Sequence, residues 1–149
     1  MNLRTKLFDD MKSAMKEREA GKLRLLVIRA AISNIRNIEI DKKRELDDEE
    51  IIAVLVKEVK MRRDAVEDFR VAKRDDLIKE YESEVAILQT YLPEQLSETE
   101  IIDIVKDCIQ RSGAQSLKEL GKVMTLIKPL IKGRADGKIV NQIVRQSLQ

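Results

Sequence analysis

From Leu3 to Leu148 the apolar residues of this chain recur at steps of three and four, and nowhere do they alternate with polar ones. That spacing lines one side of an α-helix and no single face of a strand, so an all-α fold follows. Five Gly and two Pro interrupt 149 residues and divide the pattern into segments. Leu3, Leu7, Met11, Ala14 and Met15 define a first amphipathic helix, with Gly21 as its stop. A second runs from about Lys22 to Ile40. Leu25, Ile28, Ile32 and Ile35 form its stripe, and Leu23, Leu26 and Val27 widen it enough to predict burial on more than one side.

Three later starts carry a capping box, a short polar residue followed three positions on by Glu. Asp47 with Glu50, stapled by Leu46 and Ile51, opens a helix to about Val71. Ser97 with Glu100, stapled by Leu96 and Ile101, opens one that Gly113 closes as a left-handed C-cap. Ser116 with Glu119 opens a short helix through Ile127, which Pro129 and Gly133 end or kink. Before Ser97, a helix carrying Leu77, Tyr81, Val85, Leu88 and Leu92 stops at Leu92, because the residue before Pro93 is pushed out of the helical region. Asp136 is the N-cap of a final helix with Val140, Ile143, Val144 and Leu148. The organisation expected is an N-terminal bundle of about four helices over 1–92 and a smaller three-helix C-terminal subdomain over 97–149. A chain of this length buries roughly 70% of its unfolded surface, enough for a core without staples.

The residues present exclude much chemistry. There is no His, which removes Ser-His-Asp and Cys-His catalysis and His-ligated zinc. Cys108 is the one cysteine, so no internal disulfide forms, and its place in an apolar stripe reads as a structural thiol. Gly121-Lys122 lacks the spacing and the following Ser or Thr of a phosphate loop. Asp47 to Glu50 is an acidic run that suits a first helical turn better than a cation. No catalytic residue, metal site or cofactor is expected. The longest charge-free run, Val85 to Pro93, is half of a membrane span, and the first residues lack an apolar signal core, so a cytoplasmic location without membrane contact is expected.

Charge is uneven. Lys118, Lys122, Lys128, Lys132, Arg134, Lys138 and Arg145 face only Glu119 and Asp136 over 118–149, a net of +5. Lys132-Gly133-Arg134-Ala135-Asp136-Gly137-Lys138 gathers cations and two glycines where one helix gives way to another, and amides at a helix start with nearby cations suit phosphate. A solvated basic face is the alternative. No aromatic residue lies in this region, which leaves backbone or shape recognition of folded RNA rather than base stacking.

Several ordered motifs resemble the YqeY family, whose C-terminal part is similar to the tail domain of GatB, the B subunit of the tRNA-dependent amidotransferase. They are Leu7-Phe8-Asp9-Asp10-Met11-Lys12, Arg63-Asp64-Ala65, Leu88 to Ser97, Gly121-Lys122-Val123-Met124, Lys132 to Gly137, and Val140-Asn141. The chain departs from the pattern at Thr125, where a glycine commonly stands, and at Lys128-Pro129-Leu130. The resemblance implies a helical N-terminal part, a C-terminal helical subdomain that contacts tRNA, and RNA-facing roles for Lys122, Lys132, Arg134, Lys138 and Asn141. Gly121, as a site of close helix approach, Gly133, as a positive-φ residue, and Asp136 and Gly137 at the turn are the structural part of the motif.

Three functions remain open at this point. A non-enzymatic module binds tRNA, or a tRNA-bearing complex, by its basic C-terminal face, with DNA not expected. An accessory factor serves glutamine-dependent carbon-nitrogen bond formation with amidotransferase components, and has no stand-alone activity. A helical adaptor binds protein alone.

Overall fold

A computed structural model describes residues 2–149. Among them are seven α-helices and two short 3-10 turns, and no strand: α1 (Leu3–Lys16), α2 (Lys22–Lys42), α3 (Asp48–Val71), α4 (Asp75–Gln89), α5 (Glu98–Ser112), α6 (Leu120–Ile131) and α7 (Gly137–Leu148), with 3-10 turns at Arg18–Gly21 and Leu117–Glu119. The all-α class is as the spacing requires. The chain divides into two compact units, Met1–Leu92 and Pro93–Gln149, each with its own apolar core.

In the first unit, α1 and α2 form one hairpin and α3 and α4 another. Leu7, Ile28, Ile51, Leu55 and Leu88, one or two from each helix, are fully buried at its centre. The starts are fixed locally. Asn2 accepts the amide of Thr5 at 2.8 Å, and the Asp47–Glu50 box is closed in both directions. Glu50 also takes both arms of Arg44 at 2.8 Å and Lys42 at 3.0 Å, and these bonds hold its carboxyl far below the ordinary range.

The structure corrects four local readings. Gly21 does not stop α1: the helix ends at Lys16, a 3-10 turn with Arg18 at φ +53° follows, and α2 begins at Lys22. Gly21 is there because a Cβ at that position would stand 2.3 Å from the Ala14 carbonyl oxygen. Leu26 does not widen the buried stripe of α2; it is 61% exposed, because no described element of the first unit covers that side. α4 ends at Gln89 rather than at Leu92, and Tyr91 and Leu92 follow in a turn bonded to Leu88 and Gln89. That turn carries Tyr91 inward against the core.

The second unit buries Val105, Cys108, Val123, Ile127, Val140 and Val144 completely, from α5, α6 and α7. The Ser97–Glu100 box is formed, and Gly113 closes α5 at φ +71°. The Ser116–Glu119 box is the fourth correction. The Ser116 side chain makes no cap, and Glu119 accepts the amide of Gln115 at 2.6 Å instead, so α6 starts at Leu120 after a 3-10 turn. Pro129 lies within α6, which runs two residues further to Ile131. In the last turn its missing amide costs only one bond, to Thr125.

Tyr91 ties the two ends of the first unit together. Its hydroxyl donates to Asp10 Oδ2 at 2.5 Å, and Lys6 donates to the same oxygen at 3.2 Å. Burial, and then this bond, raises the phenol. For Asp10, desolvation pushes the pKa up, but the bonds from Tyr91 and Lys6 outweigh it and leave it below its usual 3.8. A depressed carboxylate contributes stability above its unfolded pKa and loses it as pH falls through the folded value. Tyr91→Phe is therefore expected to cost roughly 1–2 kcal/mol at pH 7. It should also flatten the dependence of Tm on pH below pH 4, as thermal melts at stepped pH would read. An unchanged acid limb would show that the hydroxyl does not set Asp10.

Candidate functional site

Two polar constellations are built by the fold. One is the region that the sequence singled out, the α6–α7 connection of the second unit. The other lies between α3 and α4 and was not foreseen.

At the α6–α7 connection the chain leaves α6 at Ile131 and needs a reversal. Gly133 supplies it at φ +73°. The loop is then fastened to the residues that precede α5. The Leu96 amide donates to the Arg134 carbonyl at 2.8 Å, Gln95 Nε2 to the Gly133 carbonyl at 2.9 Å, and Arg134 Nε to the Glu94 carbonyl at 3.3 Å. Arg134, a candidate phosphate ligand by sequence, is half-buried and engaged in holding this clasp. Asp136 caps α7 through the Lys138 amide at 3.0 Å. Its carboxylate occupies the helix start that would otherwise attract an anion, so the amides there do not form an open phosphate nest.

The other candidates are separated by the helices that carry them. Lys122, exposed on α6, lies 3.7 Å from Glu119. Lys128 follows six residues on, which turns it about 120° around the axis. Lys132 is exposed at the end of α6. On α7, Lys138, Asn141 and Arg145 share one side, and the Asn141 carbonyl oxygen accepts Arg145 Nε at 2.7 Å. The cations thus form a distributed basic surface rather than a pocket. The motif glycines divide as well. A Cβ at Gly121 or Gly137 would meet nothing within 4 Å, so the close helix approach expected at Gly121 is not what the structure shows.

The unforeseen constellation is ionic and buried. Arg62 on α3 donates to Glu58 Oε2 at 2.7 Å and, through Nε, to Glu84 Oε1 of α4 at 3.1 Å. Asn34 of α2 donates to the remaining oxygen of Glu58. Glu58 and Glu84 are both buried. Desolvation lowers the Arg62 pKa, and the bonds to the two carboxylates more than offset that, so it stands above its ordinary value. Met61, Ala65 and Tyr81 complete a groove of about 290 Å³ beside them. The sequence did carry a signal: Glu58 and Arg62 fall in the apolar register of Leu55, Val59 and Val66, where a charge has to find a buried partner.

The single thiol adds no chemistry. Cys108 is fully buried and burial pushes it up, away from the thiolate. No group of three or more metal-ligating side chains gathers among the described residues. Nor is any helix among them long and apolar enough to cross a membrane.

The family model described as Yqey-like protein matches residues 4–148, nearly the whole chain. The chain belongs to the YqeY family. Among YqeY relatives, the Pyrenophora tritici-repentis protein named altered inheritance of mitochondria protein 41, mitochondrial, is 31% identical over 140 residues, which are 92% of this chain and 76% of that protein. The Kluyveromyces lactis protein of the same name is 32% identical over 125 residues, 78% of this chain and 66% of that protein. An uncharacterized Schizosaccharomyces pombe protein is 34% identical over 95 residues, 64% of this chain and 72% of that protein. The expectation of a cytoplasmic location does not survive these matches. It rested on the lack of an apolar segment, whereas two of these three YqeY relatives are named mitochondrial.

Proposed function

We propose that the second unit binds the sugar-phosphate backbone of tRNA, or of a tRNA-bearing complex, without base-specific readout. One observation carries this reading: the seven cations of 118–149 outnumber its two acids, and three of them stand without one. Both acids of that stretch accept backbone amides, Glu119 from Gln115 and Asp136 from Lys138. Lys118, Lys128 and Lys138 are exposed and have no acidic partner among the described residues. A spread of exposed cations from the 3-10 turn at Leu117–Glu119 to α7, with no aromatic platform, suits counterion release and the outline of a folded RNA.

The test is equilibrium binding of the whole chain to tRNA and to a duplex RNA of equal length, across a salt series. Affinity for tRNA is expected to exceed that for the duplex and to fall steeply with salt. Arg134 is a poor residue for the variant because its side chain holds Glu94, so Lys118→Gln, Lys128→Gln and Lys138→Gln are combined. That variant should keep its Tm and lose up to about three units of the slope of log K against log salt. Binding that ignores salt, or that the triple variant leaves unchanged, would overturn the reading.

A further inference from the structure

Among the described residues of the first unit, no element covers the outward face of α2. Leu26 and Ile40 are 61% and 72% exposed, and Ala30, Ser33 and Asn37, also exposed, lie between them. Leu26, Ser33 and Ile40 recur every seven residues, and Ala30 and Asn37 interleave four residues on. This is the d and a spacing of a helix-helix seam, about 21 Å from end to end at 1.5 Å per residue. In a chain that is 38% charged, the seam holds no charge.

One border of the seam is basic throughout. Lys22, Arg29 and Arg36 occupy its g positions, all three exposed. Among the described residues none of the three has an acidic partner, and Arg36 covers the Phe8 ring, 5.3 Å from its centroid. Charges at g positions choose the partner. We propose that this face docks an acidic amphipathic helix of another protein, whose apolar edge lies along Leu26, Ala30 and Ile40 and whose Glu or Asp residues meet Arg29 and Arg36.

The same features disfavour other occupants. A second copy paired antiparallel along this seam would set Arg29 against Arg36, cation against cation. A lipid surface needs a broad apolar face, and Ser33 and Asn37 interrupt this one at its centre. Nucleic acid would leave the uncharged seam unused, because phosphates are met by cations and these lie along one border only. Asn37 at an a position favours one register over its neighbours, a property of use in helix pairing alone.

The experiment places a photo-crosslinking amino acid at Ser33 of the full chain in cells, with an equivalent at exposed Lys106 of α5 as the reference, and sequences whatever is captured. The result expected is a peptide of another protein with acidic residues at helical spacing, captured at Ser33 and not at Lys106. Its yield should fall more than about tenfold in Arg29→Glu/Arg36→Glu, where like charges would face each other. Leu26→Asp/Ile40→Asp should abolish it. Both variants alter exposed positions, and unchanged circular dichroism and Tm confirm that they fold. No capture above the reference overturns the proposal, and so does capture of RNA, of lipid or of a second copy. Capture that is indifferent to Arg29→Glu/Arg36→Glu overturns it equally. RNA affinity in the charge-reversal variant, measured in parallel, keeps this result separate from that for the second unit.

Discussion

Replacing Arg62 by Leu is expected to cost the first unit roughly 3–5 kcal/mol, the range seen when one partner of a buried ion group is removed. The guanidinium is shared by Glu58 at 2.7 Å and Glu84 at 3.1 Å, and both carboxylates are buried. Without it, the two carboxylates face each other in the α3–α4 interface, and Asn34 donates to Glu58 alone. Most of that loss is the desolvated charge left behind, because removing one partner of a buried ion group leaves the others uncompensated. A second variant separates the two contributions. Arg62→Leu combined with Glu58→Leu and Glu84→Leu removes the orphaned charges, and most of the stability should return. Denaturant midpoints of the wild type, the single variant and the triple variant measure this. If the single variant lost less than about 1 kcal/mol, the groove would be wet enough to solvate both carboxylates, contrary to their burial.

Gly21→Ala is the other large loss expected, on the order of 2–4 kcal/mol, as for overpacking against backbone. The added methyl would lie 2.3 Å from the Ala14 carbonyl oxygen and 2.9 Å from its Cα, atoms that cannot step aside without shifting α1. Gly21 sits at φ −98°, a value open to any residue, so the loss is one of space and not of backbone conformation. Two other glycines make the comparison sharp. Gly113→Ala has room within 4 Å but a φ of +71°, and should cost about 1 kcal/mol. Gly121→Ala has room and lies inside α6, where Ala is the better helix former, and should be neutral or gain up to about 1 kcal/mol. Thermal melts of the three variants should therefore rank them in that order, and a mild Gly21→Ala would mean that α1 and α2 do not meet as closely as described.

What the sequence revealed and what it hid divide by distance along the chain. The boxes at Asp47 and Ser97 and the caps at Gly113 and Asp136 are contacts over two to four residues, and each was legible as a local pattern. Ser116 has the same pattern and fails, because Glu119 finds the Gln115 amide first and the turn tightens to 3-10. Gly21 was visible as a glycine, but its reason is seven residues away on another helix. Glu84 and Arg62 are 22 residues apart, so the sequence showed two charges and not a bond. Leu26 was assigned to the core because periodicity says which side of a helix is apolar, while coverage of that side depends on how many neighbours arrive. The basic stretch of 118–149 was legible as charge. The division of its members between a clasp, a cap and free surface was not, since Arg134 owes its role to Glu94, forty residues earlier.

The bond from Tyr91 to Asp10 spans 81 residues and sets a timetable for synthesis. A chain is made from its N-terminus at roughly 5–20 residues per second. Once α2 is complete at Lys42 both helices of the α1–α2 pair have been made, but Leu7 and Ile28 still lack the α3 and α4 surfaces that share their core, and Asp10 lacks its donor. The fifty residues from there to Leu92 take about 3–10 seconds at that rate, during which that core is incomplete. The first unit therefore completes its core only once Tyr91 has been made and its turn can reach back to Asp10.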